Sequence, residues 1–535
     1  MNKLWYGDNL TVMQAMGKHS VDLIYLDPPF NSKQNYNLLY KTMTGKPVPE
    51  QVEAFCDTWE MDAQKEALAR NMPSLMRQHG VDDYYVDFWN LWMRALRNTQ
   101  PHLLAYLIFM VQRLIHMKSI LRPTGSIYLH CDPTASHYIK VMMDGIFGHQ
   151  NFRNEIIWKR TSAHSSAKRF GPVHDTILFY TAGNKYVWNK IYQPYDQSYI
   201  DGFYTHIDPD GRRWRRSDLT GAGTRNGETG EIWRGIDVTA KGRHWAWPPS
   251  ELDRMDKAGR IHWPHKEGGV PQLKRYLDEQ PGVPVQDVID DISPMHNLSK
   301  ERLGYPTQKP IALLDRIIQA SSNEGDVVFD PFAGCGTTIY SAVKNERQWI
   351  GCDIAILSVK LVREVLSEKY RLVEGRHFSV DGIPLSVDGA QELFNKDPFT
   401  FQNWFVERVG GFPMQKKSSD RGVDGRIYFE AKNALHEMII QVKGGKTVRP
   451  SDVRDLRGVL EREPNAKMAG FLSIAAPTKA MLREAAEAGI FEQGGFQYPR
   501  IQFLTTKEVL EDKREFHMPT RVNTKISTGQ HSLPL

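Results

Sequence analysis

Cysteine is scarce, with four thiols, Cys56, Cys131, Cys335 and Cys352, in 535 residues. They form no C-x-x-C pair and no disulfide framework, so a cystine-stapled scaffold is excluded and a reducing cytoplasm fits. Long apolar runs are missing too. Residues 103–111 are strongly apolar, but Gln112 and Arg113 end the run well short of a membrane span. It reads as a buried helix leading through Arg122-Pro123-Thr124-Gly125 into a strand, and no membrane partner is expected. The first residues lack the basic-then-apolar layout of a secretory leader. No G-x-x-x-x-G-K-S/T loop occurs, which argues against self-contained ATP-driven translocation. There is no internal repeat and no low-complexity tract. Neither sign of charge dominates, since 68 Lys and Arg against 63 Asp and Glu leave +5. That mild excess permits nucleic-acid binding without demanding it.

What is present begins with residues 21–26, Val-Asp-Leu-Ile-Tyr-Leu, which read as a buried strand. Asp27-Pro28-Pro29-Phe30 follows. The prolines stop the strand and fix the backbone. They leave a carboxylate, backbone carbonyls without neighbouring N–H donors, and an aromatic ring at the strand's carboxyl end, where open α/β sheets bind ligands. Two acceptors can hold an exocyclic amine by its hydrogens while a ring stacks on its heterocycle. This suits an aminated base pulled out of a nucleic-acid stack. The tripeptide alone is equally at home in a plain turn, and a second motif shifts the balance. Asp326-Val327-Val328-Phe329 reads as a strand running into Asp330-Pro331-Phe332-Ala333-Gly334-Cys335-Gly336-Thr337-Thr338 and then a helix over 339–343. Strand, glycine turn and helix N-terminus form a nucleotide cradle. The next strand, 349–352, ends at Asp353, about twenty residues on, where such folds set an acid against ribose hydroxyls. The third glycine of a dinucleotide fingerprint is absent.

Together the two motifs resemble those of the DNA amino-methyltransferases, in the permuted beta-class order that puts the catalytic motif before the cofactor motif. Residues 6–10, 125–130, 174–180 and 304–310 also match the family's order, so the resemblance spans a whole domain. It implies a Rossmann-like α/β sheet that binds S-adenosylmethionine. Asp27, Pro28, Pro29 and Phe30 become the catalytic residues. Asp8, Thr307, Lys309, Asp330, Pro331, Phe332, Gly334, Gly336, Thr337 and Asp353 become the cofactor residues. The Asp27 carboxylate and Pro28 carbonyl would accept the two hydrogens of adenine N6 and localise its lone pair, and Phe30 would stack on the flipped base. In this family D-P-P accompanies adenine more than cytosine, whose N4 enzymes usually carry Ser there; cytosine remains the alternative. Double-stranded DNA is the expected partner. A homodimer and partner subunits of a defence system stay open.

The length suggests three or four domain-sized units. Residues 1–185 hold the catalytic half, with an insertion over 41–98 whose Trp59, Trp89 and Trp92 serve either helix packing or a lid over DNA. Residues 186–300 occupy the target-recognition position, 301–375 the cofactor half, and 376–535 a separate tail. In the middle part Arg212, Arg213, Trp214, Arg215 and Arg216 set four guanidiniums around one indole. Arginines stacked on indoles can simply build a small domain. So dense a cluster needs acids or phosphates to answer it, and DNA backbone contact is the expected answer. In the tail, residues 401–412 read as an amphipathic helix ended by glycines. Asp424 opens a strand over 426–429, and Gln441 and Lys443 lie on the next, with the alternation aiming both at one face. This resembles the restriction-endonuclease-like fold of the Mrr type. The resemblance implies that Asp424 binds Mg²⁺ beside Gln441, with Glu407 as an extra acid, and that Lys443 assists phosphodiester cleavage. Many relatives carry Glu where Gln441 stands, which removes one charge from the metal site. A non-cleaving DNA-docking tail is the alternative.

Overall fold

The run Val21–Leu26 is apolar on both faces, as a strand inside a parallel sheet requires, and it occupies the middle of a nine-stranded sheet. In chain order the strands are β1 (Asn2–Tyr6), β2 (Val21–Leu26), β3 (Leu121–Cys131), β4 (Phe152–Lys159) and β5 (His174–Thr181). They continue with β6 (Val288–Ile289), β7 (Val327–Asp330), β8 (Gln348–Asp353) and β9 (Phe378–Asp381). Their spatial order is β6-β4-β5-β3-β2-β7-β8-β1-β9. Neighbours pair in parallel except at β5, which runs against β3 and β4. This computed structural model describes residues 2–29, 35–38, 52–56, 59–161, 170–266, 269–296, 299–303, 305, 308–414, 422–431, 434–445 and 447–519.

After β2 the chain moves to β3 on one side; after β7 it moves to β8 on the other. The carboxyl ends of β2 and β7 therefore flank the switch point at which open α/β sheets bind ligands. The two strands pair directly, Phe329 opposite Ile24. One sheet face is covered by the helices Ala63–Gln78, Asp83–Thr99, Pro101–Ile120 and Pro133–Phe147. Trp89 is buried there and Trp59 packs on Tyr106 and Phe109, so the described tryptophans of the insertion are packing residues. The other face is covered by Ile311–Ser321, Thr337–Lys344 and Ile356–Glu368.

Helix Pro101–Ile120 runs through Gln112 and Arg113, which end only the apolar run, and at 20 residues it is long and apolar enough to cross a membrane by length and composition alone. It is instead a core helix, with Leu104, Leu107, Ile108, Val111 and Leu114 buried. It continues because Arg113 finds hydrogen-bond partners inside the fold.

The middle unit covers Lys190–Gln286, slightly inside the 186–300 expected. Its main sheet aligns Ile261–His262, Gln272–Tyr276, Arg213–Asp218 and His206–Ile207, all antiparallel, beside a small core of Leu219, Trp233, Val238, Trp245 and Leu252. The boundary at 375 needs a larger correction. β9 lies beyond it yet completes the N-terminal sheet, pairing Val380 with Leu4. Past β9, helix Pro398–Arg408 leads into a five-stranded sheet ordered Phe412–Pro413, Gly425–Ala431, Ala434–Lys443, Ala466–Ser473 and Ile501–Thr505. One apolar cluster joins Tyr6, Phe378, Phe401, Trp404, Phe405, Ile427 and Ile440, so the tail shares a core with the N-terminal sheet.

Candidate active site

The proline corner after β2 and the glycine turn after β7 stand side by side. Pro28 is buried; Asp27 and Pro29 are half-buried. The Asp27 carboxylate is ion-paired with the ammonium of Lys309, 282 positions away in sequence. Asp330 closes β7 and its Oδ1 accepts from the Phe332 N–H at 3.0 Å. Burial, with Asp27 and Asp353 nearby, pushes its carboxyl up to about 7. Asp353 closes β8 and accepts from the N–H groups of Gly334 and Ala355, each at 2.8 Å. Burial raises its carboxyl to about 6 against the pull of those bonds. Gly334 and Gly336 have φ of +51° and +86°, which only glycine adopts at little cost. A Cβ on Gly336 would also lie 2.8 Å from Val362 and 2.9 Å from Tyr340. Thr337 opens the helix Thr337–Lys344, and the Phe332 ring faces Phe109 at 6.2 Å. The Tyr305 ring covers the turn, within 3.4 Å of where a Cβ on Gly334 would sit.

Asp8 reaches the same edge. It caps helix Asn9–Ala15 by accepting from the Leu10 N–H at 3.1 Å, and Gly7 N–H donates to the Asp353 carbonyl at 3.0 Å. Two neighbours escape the sequence reading. Asn9 Nδ2 donates to the Pro331 carbonyl at 2.8 Å, tying the first turn of the chain to the glycine loop. Arg113 donates to Asn9 Oδ1 and Asp8 Oδ1, both at 2.7 Å, with its guanidinium 3.4 Å from the Phe109 ring centre. Phe30 and Thr307 lie outside the described residues.

A buried network next to Asp27 is also absent from the sequence reading. The reversed strand β5 delivers Asp175 to the carboxyl edge of the sheet. His130, fully buried on β3, bridges the Tyr25 hydroxyl at 2.8 Å and Asp175 Oδ2 at 3.1 Å. Arg160, just after β4, stands 3.1 Å from the other Asp175 oxygen. Burial disfavours the Asp175 carboxylate, but His130, Lys309 and Arg160 together hold its pKa below the usual range. The available signal was a polar residue at the ends of two apolar runs, 125–130 and 174–180.

Among the described residues, Asp330 and Asp353 have no cationic partner. Two buried carboxylates around a glycine turn match a ligand that brings its own positive charge, and the sulfonium and ammonium of S-adenosylmethionine meet that condition.

In the tail, Asp424 Oδ2 accepts from the Val442 N–H at 2.7 Å, and Asp424 N–H donates to Ile440 at 2.8 Å. Gln441 is buried, its Oε1 without a hydrogen-bond partner, and Lys443 lies 3.9 Å from Asp452. Asp424, Gln441 and Lys443 are thus brought together. Glu407 is not. Its carboxyl accepts from the Ile356 N–H at 3.3 Å, three residues past Asp353, and burial pushes it up to about 8. The structure therefore spends Glu407 on the junction with the N-terminal sheet, because helix Pro398–Arg408 buries that side. Among the described residues no group of three or more His, Cys, Asp and Glu side chains could hold a metal.

The arginine cluster is partly answered by acids. Arg212 forks onto Asp278 at 2.8 and 2.9 Å and reaches Glu279 at 2.7 Å; Arg213 lies 3.3 Å from Asp201. Trp214 is buried and donates to Asp208 at 2.7 Å. For these three residues, the argument from unanswered charge no longer points to phosphate.

A family profile described as DNA methylase matches residues 21–364. The type II methyltransferase M.EcaI of Enterobacter cloacae is 36% identical over 290 residues, covering 54% of this chain and 62% of that protein. The StyLTI Mod subunit, from a type III restriction-modification enzyme of Salmonella typhimurium, is 26% identical over 371 residues, 65% of this chain and 51% of its own length. This chain therefore spans less than two thirds of either relative. A 71-residue stretch, 13% of this chain and 24% of the other, is 48% identical to the DNA adenine methyltransferase YhdJ of Escherichia coli. The solved M1.HpyAVI–SAM complex aligns over 68% of this chain and 99% of its own at 12% identity, with a TM-score of 0.30.

Proposed function

From membership of the N6/N4 DNA methylase family, to which this chain belongs, we propose that it transfers a methyl group from S-adenosylmethionine to N6 of an adenine flipped out of duplex DNA. The pairing of β2 with β7 carries the reading, because it sets the Asp27 corner beside the glycine turn at the switch point. Asp8, Asp330, Asp353, Thr337 and the backbone of 331–336 would hold the cofactor, with Thr307 and Lys309 closing over it. When bound, S-adenosylmethionine supplies a methyl group on a cationic sulfur, so no strong base is needed before attack. Asp27 and the Pro28 carbonyl accept the amine's hydrogens and localise the nitrogen lone pair. Lys309 holds one Asp27 oxygen, which orients the carboxylate. Phe30 stacks on the base and offsets part of its unstacking. Asp27 or water takes the surplus proton after transfer. Adenine is favoured over cytosine N4 by the D-P-P form. The test is Asp27→Ala, with methylated nucleosides identified by mass spectrometry. Methyl transfer should vanish while cofactor binding remains; retained turnover, or N4-methylcytosine in the wild-type product, would overturn the respective claim.

The buried, orphaned Gln441 oxygen beside Asp424 favours a second activity in the tail. We propose a Mg²⁺-dependent endonuclease there, joining marking and cutting of DNA in one restriction-modification chain. An amide oxygen and one carboxylate fit Mg²⁺, which keeps several waters and takes substrate phosphate oxygens as further ligands. Lys443 would face the phosphate. Asp424→Ala should abolish both Mg²⁺ binding by calorimetry and Mg²⁺-dependent cleavage. Cleavage absent from the wild type under all conditions would leave the tail a DNA-docking module. Relatives named as Mod subunits favour assembly with a partner subunit.

A further inference from the structure

The five-residue cluster at 212–216 divides by what answers each charge. Arg212 and Arg213 are paired to carboxylates of their own unit, and Lys274 is held by Asp208 at 2.9 Å. Arg215 is not. It stands directly opposite Arg275 in the antiparallel pair Arg213–Asp218 and Gln272–Tyr276, so both guanidiniums leave the same face of the sheet. Among the described residues neither forms an ion pair with a carboxylate; the Arg215 guanidinium lies 5.9 Å from the Tyr204 ring centre, and its Nε is buried without a hydrogen-bond partner. Like charges directly opposite on a sheet destabilise it. An unpaired, part-buried guanidinium costs more still. Two planar forks leaving one sheet face from directly opposed positions match the oxygens of a single phosphate.

We propose that Arg215 and Arg275 form a clamp for one DNA backbone phosphate, and that Arg212 and Arg213 only hold the unit together. Resting on the reading of duplex DNA as substrate, this adds Arg275, a residue outside the original cluster, and removes two arginines from the DNA surface. Phosphate contacts fix register and carry no sequence information, so the clamp positions the unit on any duplex while other groups read bases.

The test is fluorescence anisotropy of a labelled duplex across a salt series, with wild type, Arg215→Gln, Arg275→Gln, the two together, and Arg212→Gln, each also followed by thermal unfolding. Losing one phosphate contact lowers the slope of log K against log salt by about 1. Because the two arginines share one phosphate, each single substitution should lower the slope by less than 1 and the two together by about 1, which makes binding of the doubly substituted chain roughly three- to fourfold less sensitive to salt between about 50 and 200 mM. Neither single substitution should lower the Tm, because each relieves a repulsion. Arg212→Gln should lower the Tm and leave the slope unchanged. A wild-type slope in the doubly substituted chain, with methyl transfer intact, would overturn the clamp alone. A wild-type chain that binds no duplex would overturn the functional reading with it.

Discussion

Asp330 and Asp353 sit at about 7 and 6 because the fold buries them. A cationic ligand favours their ionised forms, so binding S-adenosylmethionine should expel protons near neutrality. Its affinity is expected to rise by about tenfold, roughly 1.4 kcal/mol, between pH 5.5 and pH 8. S-adenosylhomocysteine, without the sulfonium charge, should gain less; calorimetric titration at the two pH values reads both, and equal gains would contradict the charge argument. For the free protein the sign reverses. Carboxyls raised above their unfolded value of 3.8 stabilise the fold fully below that pH, and the contribution is lost as pH rises through 6 and 7. The Tm increment given by S-adenosylmethionine should therefore be larger at pH 8 than at pH 5.5. His130→Ala is a second test at this scale. It removes the partner of the Tyr25 hydroxyl and of Asp175 Oδ2, leaving Arg160 on the other Asp175 oxygen, each lost bond at about 1–3 kcal/mol, and urea unfolding should show the combined loss. Asp27 and the glycine turn were legible in sequence because each motif is local. The His130 bridge was not, because Tyr25 and Asp175 meet only once strand order is known.

At the scale of elements, helix Pro101–Ile120 and helix Pro398–Arg408 each carry a buried ionisable side chain to a distant partner. Arg113→Met should cost about 1–3 kcal/mol, since it leaves the buried Asn9 Oδ1 without its donor while Asp8 keeps water and the Leu10 N–H, and it should loosen cofactor binding through the Asn9–Pro331 tie. Equilibrium unfolding with and without S-adenosylmethionine separates the two effects. Glu407 behaves differently. Its carboxyl is raised from 4.5 to about 8, so its share of stability is complete below pH 4.5 and lost as pH climbs through 8. Glu407→Gln keeps the acceptor for Ile356 and removes the titration, so its Tm should fall less than wild type between pH 7 and pH 9.5. The sequence showed helix Pro398–Arg408 as amphipathic but gave it to a nuclease site, because nothing local tells which side of a helix its partner will cover. The acids that answer Arg212 lie 66 and 67 positions further on, and were invisible for the same reason.

For the whole molecule, the parallel sheet and its switch point follow from strand-turn-helix patterns that any single stretch displays. The last strand, Phe378–Asp381, is four residues with two polar side chains; too short and too mixed to announce itself, it was assigned to the tail. Limited proteolysis should release 190–286 as a resistant fragment. A chain stopped at 375 should be insoluble, because it bares Tyr6 and Trp349 and leaves β1 as an edge. Sedimentation of the two truncated chains, ending at 375 and 411, checks this, and the longer should fare better. That shared ninth strand also sets the rules for grafting. Anyone exchanging this C-terminal module for another cannot treat residue 376 as a seam, since the donor would have to bring a strand and a helix moulded to the recipient's own aromatic cluster around Tyr6 and Phe378. A crossover placed in the stretch leading out of helix Pro398–Arg408 leaves that mould intact, and chimaeras should survive there first.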